Sequence, residues 1–291
     1  MIRCFSSCLF ACSLFACGTV AAQSEPAPAP VPVSPKIEIG SRKIAVPPPA
    51  GFVRSDGINK DFDAVLKNFF PPGNRLLAYF SSPEDHAALT EGRAAPNTRS
   101  FNLQVVRTLE NEDIGELTFE SVRSEMKAEL EKMRGRIEED IKKLVADGNS
   151  RLSKDNGTDI GLTVSDTVFL GFFEDSGSSL GFSMAIKTKA EDNEGKTVES
   201  KSIASAIMAP VNGRLVSFYA NAPYDSEAHR TEAEKAVAAW RDATVSANPR
   251  IAGPESEGLA HKLGKFVGVG VVIALIVGLV RLFSKKKPAS A

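Results

Sequence analysis

From Phe266 to Phe283 the chain runs for 18 residues with a single charge, Arg281. At about 1.5 Å per residue this makes about 27 Å of helix, just enough for the hydrocarbon core of a bilayer. A helix in a water-soluble fold needs one apolar stripe and has no use for apolar residues around its whole circumference. The sequence therefore predicts a transmembrane helix over 263–283, with Arg281 and Lys265 reaching the two interfaces. Lys285, Lys286 and Lys287 follow at once, whereas Lys262 and Lys265 on the other side are diluted by Glu255 and Glu257. The positive-inside rule then puts the tail, 284–291, in the cytoplasm, with 251–262 as a juxtamembrane linker outside. Gly270, Ala274 and Gly278 recur at four-residue spacing on one face of the span. Small residues let backbones approach closely, so homo-oligomerisation through this face is an expectation.

The other end agrees. Arg3 is followed by an apolar run from Cys4 to Cys17, then by small residues up to Ala21-Ala22-Gln23. This reads as a secretory signal over 1–22, cleaved after Ala22. An uncleaved anchor, or lipidation at Cys17 within Leu14-Phe15-Ala16-Cys17, are the alternatives. Signal and anchor give the same topology: inner membrane, single pass, soluble domain in the periplasm. All four cysteines (Cys4, Cys8, Cys12 and Cys17) lie in the signal segment, so the mature chain would carry no thiol for a disulfide, a thiolate metal site or a nucleophile. Lys plus Arg, 35, nearly equals Asp plus Glu, 36, which leaves no field to steer a nucleic acid.

Between the ends, Ser24 to Lys36 alternates proline with small residues and predicts an extended spacer within 23–36. The folded domain is expected over 37–250. Short strands are read at Ile37 to Ile39 and Lys43 to Val46, and a denser one at Arg75 to Phe80. Pro83 to Thr98 reads as a long loop. Ser100 to Leu109 alternates, with Phe101, Leu103 and Val105 on one side and Asn102 and Gln104 on the other, the mark of a half-buried strand.

Thr118 to Asp147 predicts one long amphipathic helix, its stripe carried by Phe119, Val122, Met126, Leu130, Met133, Ile137, Ile141 and Leu144, with Gly148 as the stop. Gly135 and the uneven steps favour packing on a sheet over a coiled coil. Leu162 to Ala220 predicts a four-stranded antiparallel meander. Its turns fall at Asp175 to Ser178, at Glu191 to Gly195, and at Asn212-Gly213, where both residues must accept positive φ. A last helix capped by Asp225 or Ser226 runs to about Ala247, with Val237, Trp240 and Val245 facing inward.

The fold class expected is α+β: an antiparallel sheet with the long helix and the closing helix packed on it, plus the transmembrane helix. At Asn212-Gly213-Arg214-Leu215-Val216-Ser217-Phe218-Tyr219 followed by the Trp240 helix, the layout resembles the PsbP-like α/β/α sandwich over about residues 40–248. That resemblance implies a binding or stabilising accessory domain without a shared enzymatic activity.

No residue set carries a specific chemistry. Gly177-Ser178-Ser179-Leu180-Gly181 matches the G-x-S-x-G string, but a nucleophile elbow needs a helix after Ser179, and a strand pattern follows instead. Its base would have to be His86 or His229. His86, His229 and His261 have no metal-ligand spacing. Asp155, Gly157 and Asp159 depart from a calcium loop, and Gly258 to Lys265 has one residue too many for a phosphate-binding loop. We therefore expect no cofactor and a non-enzymatic, membrane-anchored periplasmic binding or accessory domain with an envelope protein partner. A membrane-anchored serine hydrolase using Ser179 and an oligomeric envelope scaffold stand as alternatives.

Overall fold

The computed structural model describes residues 34–93, 99–156, 161–191 and 197–251. A hairpin of β1 (Lys36–Ile39) and β2 (Arg42–Ala45) opens the chain, followed by β3 (Val53–Arg54), α1 (Lys60–Phe69), β4 (Asn74–Ser81), α2 (Pro83–Thr90) and β5 (Ser100–Val106). Then come α3 (Glu116–Met133), α4 (Ile137–Asn156), β6 (Thr163–Ser176), β7 (Ser179–Glu191), β8 (Thr197–Val211), β9 (Arg214–Pro223) and α5 (Glu227–Ser246). Seven strands form one antiparallel sheet in the order β3-β4-β5-β9-β8-β7-β6. The α+β class with helices on an antiparallel sheet is as the sequence reads. Among the described residues no helix is long and apolar enough to cross a membrane.

The β8–β9 turn forms for the expected reason: Asn212 and Gly213 hold φ of 46° and 77°. The chain's alternation then sorts the two faces of the sheet. On one, Phe80, Phe101, Leu103, Ile207 and Phe218 lie under Val237 and Trp240 of α5 and beside Ile39 and Ile44 of the first hairpin. On the other, Tyr79, Tyr219, Phe182 and Met184 lie under α1, α3 and α4. Both faces are covered, so the half-buried reading of β5 is corrected: Asn102 and Gln104 are both 0 % exposed.

Four further expectations are corrected. The long helix is two. The chain turns at 134–136, with Arg136 N bonding Met133 O, and Arg134 to Arg136 are exposed. The apolar step from Met133 to Ile137 is four residues, so the stripe crosses the break without a change of period. Gly148 does not stop the helix but lies inside α4. A Cβ there would sit 2.7 Å from Cδ1 of Phe69, so the glycine is what lets α1 and α4 meet. Residues 83–90 are helical, not loop: Ser82 accepts from Asp85 N and Pro83 opens the first turn. In α5, Val245 is 38 % exposed and Thr244 takes the inner position.

Candidate functional site

A cleft of about 550 Å³ lies where the end of α1, the start of β4, the end of β5 and the last turns of α4 converge. Leu66, Phe70, Pro71 and Leu76 give it apolar walls, and seven charged residues line it: Asp56, Asp63, Lys67, Arg75, Arg107, Arg151 and Asp155. α1 reaches it because Asn59 caps the helix at Asp61 N and Phe62 N, and Phe62, Val65, Leu66 and Phe69 bury one stripe.

Some of these charges are committed to the scaffold. Arg75 donates through Nε to Glu110 at 2.9 Å and through Nη2 to the Glu38 carbonyl at 2.9 Å. Asp56 receives Arg54 Nη2 at 2.8 Å and the Tyr79 backbone N–H at 2.8 Å. Arg54 also donates to the Leu77 carbonyl at 3.1 Å. Because β3 pairs only with Phe80 and Ser81, the Arg54–Asp56 pair occupies backbone groups of β4 that would otherwise form an open sheet edge. The others are less committed. Among the described residues Lys67, Arg107, Arg151, Asp63 and Asp155 make no ion pair, although Arg151 donates to the Asn68 carbonyl at 3.0 Å and Asp63 accepts from Gly57 N at 2.9 Å.

The floor of the cleft leads into the protein. Asn74 Nδ2 donates to Gln104 Oε1 at 2.9 Å, and Gln104 Nε2 donates to Asn102 Oδ1 at 2.6 Å. Asn102 Nδ2 and Asn221 Oδ1 have no partner among the described residues, and both side chains are buried. Around them, Tyr79 and Tyr219 are held protonated, their hydroxyls pushed well above the ordinary tyrosine range by burial; bonds to Ser100 and Ser217 oppose the shift. The arrangement is a run of neutral amides connecting a solvent-facing cleft to a polar floor under α1. It can orient a hydrogen-bonding ligand.

The residues singled out in the sequence are not brought together. Ser179 is buried at the β6–β7 hairpin; its hydroxyl bonds the Glu174 carboxylate and lies 2.9 Å from Ser176 Oγ. Glu174 is also gripped by Arg241 of α5. A strand follows Ser179, not a helix. His86 Nδ1 faces Ser55 Oγ at 3.0 Å, and His229 Nδ1 accepts from Asp225 N at 3.2 Å, so neither histidine bonds Ser179. Gly157, Asp159, His261, the stretch 258–265, Gly270, Ala274, Gly278, Arg281, Lys285, Lys286, Lys287 and Ala22 lie outside the described residues. Asp155 lies on α4 and faces the cleft. Among the described residues no group of three or more His, Cys, Asp and Glu side chains is placed to hold a metal.

Sequence reasoning missed the cleft because it left residues 51–73 unassigned. The signal was present: Phe62, Val65, Leu66 and Phe69 recur at helical steps behind Asn59.

No protein-family model and no curated protein matches this chain. Solved structures similar in part include a mutant of Mog1 and the Ran-binding protein Mog1p of Saccharomyces cerevisiae, each 13 % identical. They cover 73 % and 74 % of this chain and 94 % of their own, at TM-scores of 0.28 and 0.27. A likeness of that size is too slight to assign a fold family or a partner.

Proposed function

We propose that this chain is an exported binding or accessory domain, without catalysis of its own, held at the inner membrane by one C-terminal helix. The carrying observation is the 18-residue run from Phe266 to Phe283 with its basic tail, separated from the last described residue, Ile251, by the 14 residues 252–265. A signal segment over 1–22 gives the same topology, with the domain in the periplasm. Helices on both faces of an antiparallel sheet support the PsbP-like reading of its layers. A mixed-charge cleft with apolar walls supports a binding role.

Alkaline carbonate extraction tests the anchor: the chain stays in the membrane pellet, and deletion of 263–291 releases it. A reporter fused after Ala291 that is active only on the exported side would overturn the topology. Pull-down of the full chain from detergent-solubilised membranes identifies the envelope partner. Labelling by a serine-directed probe that is lost in Ser179→Ala would instead establish the hydrolase.

A further inference from the structure

The described chain ends at the same end of the sheet as the cleft. Ile251 N donates to Asn212 Oδ1 at 3.0 Å, in the β8–β9 turn. Arg214, beside that turn, donates to the Ile39 carbonyl at 3.2 Å, and the neighbouring Glu38 carbonyl accepts from Arg75, a wall of the cleft. In the register of the sheet, Asn74 pairs with Val106, and Arg214 with Val211, at this same end. The cleft and the exit of the chain toward residue 266 thus share one end of the sheet.

The leash between them is short. Fourteen residues, 252–265, separate Ile251 from Phe266, and a chain of that length reaches at most about 50 Å. A domain held within that reach, by that end of the sheet, can bring its cleft to the bilayer surface. The cleft's charges fit what lies there. Lys67, Arg107 and Arg151 offer positive charge, and Asp63 and Asp155 offer negative charge, without ion partners among the described residues. A simple anion would answer only the first set. A ligand with a phosphate diester and a protonated amine answers both, and its glycerol and first methylenes match the apolar wall of Leu66, Phe70 and Leu76.

We propose that the cleft receives the headgroup of an amine-bearing phospholipid in the membrane that anchors the chain. The proposal rests on the anchored reading given above. Binding orients the domain with that end of the sheet toward the bilayer.

The test uses the full chain in uncharged detergent micelles, titrated with short-chain phosphatidylethanolamine by calorimetry. Saturable binding is expected, weakened on the order of tenfold when Lys67→Glu and Arg107→Glu are combined, with an unchanged melting curve. Short-chain phosphatidylglycerol is expected to bind more weakly, and Asp155→Asn to narrow that preference by about threefold. Absence of saturable binding overturns the proposal, as does phosphatidylglycerol binding equally well. Glycerophosphoethanolamine binding as tightly as the lipid overturns it in favour of a soluble phosphate ester. Carbonate extraction separates the two readings: a chain washed from the membrane defeats the anchor, whereas an embedded chain without headgroup binding defeats only the headgroup assignment.

Discussion

The two faces of the central strands are equally buried and are built on opposite principles. Under α5, Trp240 meets the edges of Phe80, Phe101 and Phe218 at centroid distances of 5.5, 5.6 and 5.1 Å, and its one polar atom donates to the Pro47 carbonyl at 2.8 Å. Under α1, the same strands offer Tyr79, Ser81, Ser100, Asn102, Gln104, Ser217, Tyr219 and Asn221, all buried. The aromatic face depends on shape and dispersion. The polar face depends on its amide run from Asn74 through Gln104 to Asn102, because a buried donor or acceptor left alone costs about 1–3 kcal/mol. Burial in this sheet therefore does not follow apolarity. The polar face begins at a cleft residue, Asn74, which ties it to the candidate site.

That contrast can be broken from either side. The largest effect is expected from Trp240→Ala, which removes the centre of the aromatic face and should cost about 3–5 kcal/mol in denaturant unfolding. On the polar face, Gln104→Leu strands Asn74 Nδ2 and the Asn102 oxygen and should cost about 1–3 kcal/mol. Adding Asn74→Leu and Asn102→Leu should recover most of that loss; a further loss in the triple variant would show that the face is not held by its amide run. Gly148→Ala drives a Cβ into the Phe69 ring and should cost about 1–3 kcal/mol, relieved by Phe69→Leu.

The smallest effect lies outside both faces. Lys189 and Lys187 hold the Glu199 carboxylate down at about 2. A carboxylate lowered on folding stabilises the fold above its ordinary value of 4.5 and loses that contribution as the pH falls toward about 2. Titration of Glu199 by NMR should show the low midpoint, and Lys187→Ala with Lys189→Ala should return it toward 4.5.

The meander and the closing helix were legible because their punctuation is local: Asn212-Gly213 dictates its turn, and Ser226 stands before a helical stripe. The break between α3 and α4 was hidden because Met133 and Ile137 keep step across it. Gly148 was misread because a glycine that ends a helix and one that admits a neighbouring ring look the same without Phe69 in view. Asn102 and Gln104 were assigned to a solvent face because alternation reports which side a residue faces, not what covers that side. The cleft combines α1, β4, β5 and α4, parts far apart in the chain, and no local pattern announces it.

Asn248, just beyond α5, grips β2 with both ends of its amide: its Oδ1 accepts from Ala45 N at 2.7 Å and its Nδ2 donates to the Ala45 carbonyl at 2.6 Å. A pull applied between the first strand and Ile251 is therefore borne within a few residues, by this clip and the adjoining turn. Stretching between these two points should therefore peel the terminal hairpin, with its Arg75 and Arg214 bonds, before the seven-stranded sheet opens.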